Sequence, residues 1–361
     1  MVRGIGAVRL QALLDYFGDA QVAWGAPADA LLHAGLSQKI VGNFIRLRSS
    51  LDLEKVMERL DKLGISVLTR QDEAYPRRLK EIDQPPPVIY VRGEILAEDD
   101  FSVAVVGTRR VTVYGRQVAE EVAQFLAQNG ITVVSGLARG VDAVAHDSAI
   151  KNGGRTFAVL GSGVDRIYPP EHQNLAERVI QCGALISDYA PGTPPDAINF
   201  PPRNRIISGL SLASVIIEAG ETSGALITAT FAAEQGREVL AVPGPIHAPQ
   251  SKGTNRLIQQ GARPMLKVED ILDALKLDHV QSQQQARSLL PADAVEASIL
   301  SLMSMEPLHI DEIQAQSGLS IDKVSATLTL LELKGMIRQV GGLNYTSVRE
   351  TGARYFTDET V

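Results

Sequence analysis

One cysteine, Cys182, stands alone among 361 residues. A single thiol builds no disulfide framework and falls far short of a thiolate metal site. The cytoplasm is therefore the expected location. No apolar run reaches the roughly 18 residues that a membrane span needs. The opening MVRGIGAVRLQ lacks the apolar core of a secretion signal. Aromatic residues make up only 5% of the chain, too few to line a long groove with base-stacking rings. Positive charge is not in excess either: 35 Lys and Arg face 42 Asp and Glu, a net charge of −7. Bulk charge thus argues against coating duplex DNA, while a local basic groove stays open. What is present is 45% hydrophobic and 21% charged, the composition of a globular chain. The length suggests two or three domains.

Four segments follow from the pattern along the chain. Residues 1–66 read as a helical domain of helix-hairpin-helix or SAM-like type. A Gly-Ile-Gly turn is followed by Val8, Leu10, Leu13, Leu14 and Phe17 at near-helical spacing. Such a turn can free backbone N–H groups for a phosphate, and a plain helical cap is the competing reading. The first helix of such a hairpin would need residues before Met1, which leaves a shortened or misassigned start open. Residues 67–275 read as an extended Rossmann-like domain. It opens with a connector containing the stiff run Pro85 to Pro87. The short β-branched runs VAVVG, ITVVSG, TFAVLGSG, ALISDY, ASVIIEA and EVLAVPG then alternate with helical stretches. Near-continuous apolar strands separated by helices predict an α/β fold, a doubly wound, mostly parallel sheet. Residues 276–290 are glutamine-rich and read as a linker. Residues 291–361 carry a helix-turn-helix pattern closed by a short strand pair, a winged helix.

In an open α/β sheet, ligands bind beyond the carboxyl ends of the strands. The unusual residues fall there. Gly107, Thr108, Arg109 and Arg110 follow the first strand of the parallel run. Ser135 and Gly136 follow the second, with Arg139 close behind. Gly161 and Gly163 follow the third, and Ser223 and Gly224 the fifth. Glycines let a backbone approach a phosphate, and helix N-termini favour anions. Any one such loop is explained by a tight turn alone. Four at one sheet edge, two of them with arginines, point to phosphate binding. A second basic cluster, Arg203 and Arg205, sits just before the fifth strand in NFPPRNR. Two apart on a helix, these arginines diverge and can serve different partners.

Several chemistries are disfavoured by what the loops lack. GTRRVTVYG is not a G-x-G-x-x-G fingerprint, and the second strand ends without the acidic residue that holds a ribose. No G-x-x-x-x-G-K-[ST] loop is present. No Cys–His pair or G-x-S-x-G elbow offers a nucleophile. His146 reads as a helix-packed histidine before it reads as a base. Glu171, after Tyr168-Pro169-Pro170, suits a helix N-terminus better than catalysis. No cofactor, metal or catalytic residue is expected.

Taken together, GTRRVTVYG, SGLARGVDAVAHD, GSGVDRIYPPEH, NFPPRNRIISGLS, SGALITATFAAEQGREVLAVPG and KGTNRLIQQGA resemble the DNA-processing protein A family (DprA, also called Smf). The match runs in unbroken order over residues 67–270. The resemblance implies a binding protein with no established catalysis. It would protect incoming single-stranded DNA and load the RecA recombinase in natural transformation. It also implies a homodimer. The family's G-[ST]-R motif falls on Gly107, Thr108 and Arg109, which makes Arg109 a principal single-strand contact. Many members carry a lysine directly after the Tyr-Pro of the third loop, where this chain has Pro170. A neighbour, Arg166, is the substitute considered. The family's dimer surface falls on residues 252–262, with Leu257 and Ile258 as its apolar members. Two rivals stand beside this reading. One is a nucleotide phosphoribohydrolase of the lysine-decarboxylase-like (LOG) family, whose P-G-G-x-G-T-x-x-E loop is only partly matched at residues 219–228. The other is a winged-helix transcriptional regulator.

Charge separates the segments further. Residues 103–266 hold 14 Lys and Arg against 13 Asp and Glu, a net +1, which leaves −8 for the rest. Residues 291–347 hold 3 against 7, a net −4. The expected recognition helix, 321–334, offers only Lys323 and Lys334, which is poor for neutralising phosphates. A protein-interaction or regulatory role fits that domain better than duplex reading.

Overall fold

A computed structural model describes residues 2, 4–275, 294–303, 307–333 and 337–347. The expected linker at 276–290 and Lys334 lie outside them. The chain divides into two compact units, residues 1–275 and 276–361.

The first unit begins with five helices: α1 (Ala7–Phe17), α2 (Ala20–Gly25), α3 (Ala28–His33), α4 (Gln38–Ser50) and α5 (Leu53–Lys62). Their core gathers Leu13, Leu31, Leu36, Ile40, Val41 and Phe44. An edge strand, β1 (Ile65–Thr69), follows where the sequence pattern passes from helices to connector. Only its first residue is buried, so it carries little of the alternation that marks a strand. The short helix α6 (Arg77–Lys80) precedes β2 (Val88–Gly93).

The doubly wound part contains β3 (Ser102–Val106), α7 (Val113–Gln128), β4 (Thr132–Ser135), α8 (Val141–Lys151), β5 (Thr156–Val159), α9 (Gln173–Cys182) and β6 (Gly183–Ser187). The chain then returns through α10 (Phe200–Leu210), β7 (Ala213–Ile216), α11 (Gly224–Glu234), β8 (Glu238–Ala241), α12 (Lys252–Gln259), β9 (Arg263–Pro264) and α13 (Asp270–Leu275). The nine strands lie in the order β1-β2-β6-β5-β4-β3-β7-β8-β9. β1 and β2 are antiparallel additions; from β6 to β9 every pairing is parallel. β3 to β6 and β7 are buried along their whole length. That is why they read as unbroken apolar runs. One face packs on Ile206, Ile207 and Leu210 of α10. The other packs on Leu175, Ala176 and Val179 of α9. The connections run outward from β3 in one direction and from β7 in the other. The β3–β7 pair is therefore the topological switch point, where the carboxyl ends open a crevice.

The second unit is a winged helix. Helices Ala294–Leu302, Ile310–Ser317 and Ile321–Leu333 pack on a three-stranded antiparallel sheet. Its strands are β10 (Leu308–His309), β11 (Ile337–Gln339) and β12 (Asn344–Ser347), in the order β10-β12-β11. Ile299, Met303, Ile313, Val324, Leu328, Leu331 and Ile337 form its core. Gly318 ends the helix Ile310–Ser317 at φ 67°, the left-handed cap that lets the next helix turn away.

Candidate functional site

The crevice at the switch point is a groove of about 880 Å3. Its walls come from the loop after β3, the start of α10 and the start of α11. Two consecutive prolines, Pro201 and Pro202, open α10, a favoured arrangement because the first turn has no use for their missing N–H groups. That start aims Phe200 and Arg203 at the loops. The Phe200 ring is the centre of the site. The Arg109 guanidinium lies 5.8 Å from its centroid and that of Arg203 5.9 Å. Tyr168 approaches the same ring at 5.7 Å.

Arg203 is only 5% exposed. One of its nitrogens donates to the Gly136 carbonyl at 3.2 Å, and the guanidinium fills the space where a side chain at Gly136 would stand. Its Nε finds no partner among the described residues. Burial pulls its pKa down to about 10, with Asp142 opposing that fall. Asp142 is itself buried and accepts the N–H groups of Gly136 and Ala138 at 3.1 and 3.3 Å. Burial pushes its carboxyl upward. Between those two N–H groups Leu137 sits at φ 57°, a strained conformation for a non-glycine residue. The second loop is therefore held by an internal carboxylate.

The first loop is held the same way. Thr108 donates its N–H to the Glu218 carbonyl at 2.7 Å. Thr112 donates both its N–H and its hydroxyl to the Glu218 carboxylate. The Thr108, Thr112, Gly136 and Ala138 amides of these two loops are thus committed within the fold. The groove is also faced by the Arg109 and Arg110 side chains and by the start of α11. There Ser223 caps the helix by accepting the Ala225 N–H, and Gly224 faces open space.

The structure sorts the residues expected from sequence. Gly107, Thr108, Arg109, Arg110, Arg203, Ser223 and Gly224 line the groove. Arg109 and Arg110 make no ion pair in the described structure. Gly136 lies in a small annex with Arg139, Tyr168 and Pro169. Arg139 there pairs with Glu171 at 2.5 Å, which holds the Glu171 carboxyl below its usual range. Ser135 is buried and donates to the Val105 carbonyl. Gly161 makes room for the Phe200 ring, and Gly163 for Asp165 and the chain at 190–192. Arg166 is exposed and lines neither cavity. Arg205 turns away from the groove to a half-buried pair with Asp188 at 2.7 Å. Leu257 and Ile258 are half-buried on α12, outside the groove lining, and Leu257 packs on the sheet core. His146 is fully buried and lines neither the groove nor its annex. Among the described residues no cluster of His, Cys, Asp and Glu could hold a metal ion, and no helix is long and apolar enough to cross a membrane.

Sequence reasoning missed Phe200, Tyr168, Asp142 and Glu218. Phe200 had a signal: it stands three residues before Arg203, one helical turn away. Glu218 had none, because its partners Thr108 and Thr112 belong to a loop far away in the chain. Asp142 serves the loop just before it, at Gly136 and Ala138, yet no pattern of residue types marks that role.

Fold and groove define a class, a doubly wound α/β protein with arginines gathered around an aromatic ring at its switch point. Residues 66–276 match the family model of DNA recombination-mediator protein A, and residues 283–342 match the DprA winged helix domain. The chain belongs to the DNA recombination-mediator protein A (DprA/Smf) family. Protein Smf of Synechocystis is 35% identical over 381 residues, covering 95% of this chain and 96% of that one. Protein Smf of Escherichia coli is 35% identical over 350 residues, 93% of each. The crystal structure of DNA processing protein A from Streptococcus pneumoniae superposes with TM-score 0.66 at 33% identity, covering 75% of this chain and 94% of that one. DNA processing protein A from Helicobacter pylori, whose single-stranded DNA binding mode has been described structurally, gives TM-score 0.54 at 29% identity over 60% of this chain and 97% of that one.

Proposed function

We propose that this chain binds single-stranded DNA in the switch-point groove, protects incoming strands, and loads the RecA recombinase in natural transformation. The observation that carries the reading is the placement of Arg109 and Arg203 beside the Phe200 ring, with Tyr168 against it. Cations next to an aromatic platform suit a strand whose phosphates need charge and whose bases need stacking. Arg110 lines the same wall, and Arg139 stands in the annex beside it. The single-strand binding described for the Helicobacter pylori relative supports the same reading. A homodimer through α12, with Leu257 and Ile258 near the axis, would set two grooves on one strand and add avidity. The protein acts in the cytoplasm, without a cofactor, as a binding protein and not as an enzyme. Asp142, which lines the groove, and Glu218, which holds its first loop, already accept internal hydrogen bonds, which suits binding better than phosphoribohydrolysis.

Titration of matched single- and double-stranded oligonucleotides against the full chain tests this. Tighter single-strand binding that weakens steeply with salt is expected. Equal or tighter duplex binding, or release of free base from nucleoside monophosphates, would overturn it.

A further inference from the structure

Glu218 lies just beyond β7, only 4% exposed, beneath the loop that joins β3 to α7. Its Oε2 accepts the Thr112 N–H at 3.0 Å and its Oε1 the Thr112 hydroxyl at 2.5 Å. Its own carbonyl accepts the Thr108 N–H at 2.7 Å. One residue therefore holds both ends of the segment 108–112, whose middle carries Arg109 and Arg110. The chain of contacts goes further. The Thr112 hydroxyl oxygen accepts the Gly115 N–H at 3.0 Å and so caps α7. Gly115 has no side chain to spare here: a Cβ would stand 2.9 Å from Glu218 Cγ, and nearer still to the carboxylate. In dinucleotide-binding folds the N-terminus of the corresponding helix faces a pyrophosphate. Here a carboxylate of the chain itself occupies that end, where the helix dipole favours negative charge.

We infer that Glu218 is a positioning residue, which clamps the 108–112 loop and fills the α7 N-terminus so that Arg109 is presented to the groove. The inference rests on the single-strand reading of that groove. It assigns phosphate recognition at this loop to the arginine side chains, with the Thr112 and Gly115 amides withdrawn from the ligand.

A double-mutant cycle on the full chain tests it. Arg109→Ala, Glu218→Ala and the double variant are titrated with one single-stranded oligonucleotide, and each is melted in parallel. Arg109→Ala alone should weaken binding about tenfold, the scale of a lost charge-assisted hydrogen bond. Glu218→Ala should weaken it about fivefold in the parent, and less than about twofold when Arg109 is already gone, since coupled residues are not additive. Glu218→Gln should stay within about twofold of the parent. Its amide oxygen can accept the Thr112 N–H while its amide nitrogen donates to the Thr112 hydroxyl oxygen. If Glu218→Ala fails to melt cooperatively, Thr112→Val takes its place in the cycle, with the same dependence on Arg109 expected. Equal losses with and without Arg109, no loss at all, or a Gln variant as weak as the Ala variant would overturn the positioning role alone. A silent Arg109→Ala would instead overturn the single-strand reading of the loop, and the positioning role with it.

Discussion

The groove unit and the winged-helix unit keep their positive charge in different places. In the first, arginines stand at one edge of a nearly neutral sheet domain, two of them on one aromatic ring. In the second, the helix Ile321–Leu333 occupies the recognition position of a fold often used to read duplexes. Its cation among the described residues is Lys323, next to Asp322, and Glu332 is spent on the Gln339 N–H. The rim of its wing is apolar, with Val340 41% and Leu343 51% exposed. Fold alone would assign DNA to both units. Side-chain chemistry separates them.

The largest expected effect tests whether the groove unit's cations are also structural. Arg203→Ala removes the cation beside the buried Asp142 and leaves a space under Gly136 and Phe200. The two buried groups interact through their charges without a direct ion pair, and a buried charge left uncompensated costs up to about 3 kcal/mol. The first unit's melting temperature should fall by roughly 10 °C, together with single-strand affinity. The matching change in the other unit, Lys323→Ala, removes an exposed side chain and should move its melt within about 0.5 kcal/mol. A thermally silent Arg203→Ala would show that Asp142 needs no counter-charge, and the contrast between the units would blur.

A second difference concerns pH. His146 in the sheet unit is fully buried. Its Nδ1 meets the Thr156 hydroxyl at 2.7 Å, and that hydroxyl gives its own proton to the Val133 carbonyl. Nδ1 is therefore the donor, and Nε2 is left bare. Burial, with His172 and Arg203 nearby, pulls the histidine's pKa down to about 3. The unfolded chain binds a proton near the ordinary value of 6.5, while the folded chain binds it only near 3. Stability from this group is thus present above about pH 6.5 and lost as pH falls toward 3. Between pH 7 and pH 5 the sheet unit should lose about 2 kcal/mol through His146 alone. Chemical unfolding at both pH values, with His146→Asn beside the parent, checks it. A parent and variant with the same pH slope would mean that His146 takes up its proton in the fold as readily as in the unfolded chain.

The sequence carried the sheet and the edge at which the site lies, but not which side chains face it. Five wholly buried strands give apolar runs that need no partner to be recognised, and their order fixes the switch point. Arg109 and Gly107 follow directly, because a residue after a strand end has little freedom of place. Arg203 and Arg205 did not follow. Two positions apart on α10 they diverge, and only packing shows that one lies under Gly136 while the other meets Asp188. Gly161 and Gly163 looked like phosphate loops, yet they give space to Phe200 and to the chain at 190–192. A glycine marks a close approach without saying what approaches.

Arg109 sharpens the comparison from the side of binding. It makes no ion pair among the described residues and supports no core, so Arg109→Ala should leave the melt unchanged. Affinity for a single strand should fall about tenfold, and the slope of log affinity against log salt should drop by about 1 as one phosphate contact disappears. A lower affinity with an unchanged slope would place the arginine against a base and not a phosphate.

The smallest expected effect bears most directly on the contrast. Removing residues 291–361 takes away the winged helix, whose 291–347 segment carries a net charge of −4. Its chain contacts group apart from those of residues 1–275, so the sheet unit should keep its melt. The deleted domain brings more repulsion than attraction to a phosphate chain, and screening at 0.15 M salt confines that repulsion to about 8 Å. Single-strand affinity should therefore stay within about threefold, roughly 0.7 kcal/mol. A modest gain at low salt is the expected sign, because a negative neighbour has been taken away. Titration of the shortened and full chains at two salt concentrations decides the matter. A hundredfold loss would make the winged helix part of the binding surface, despite its acidic balance and apolar wing.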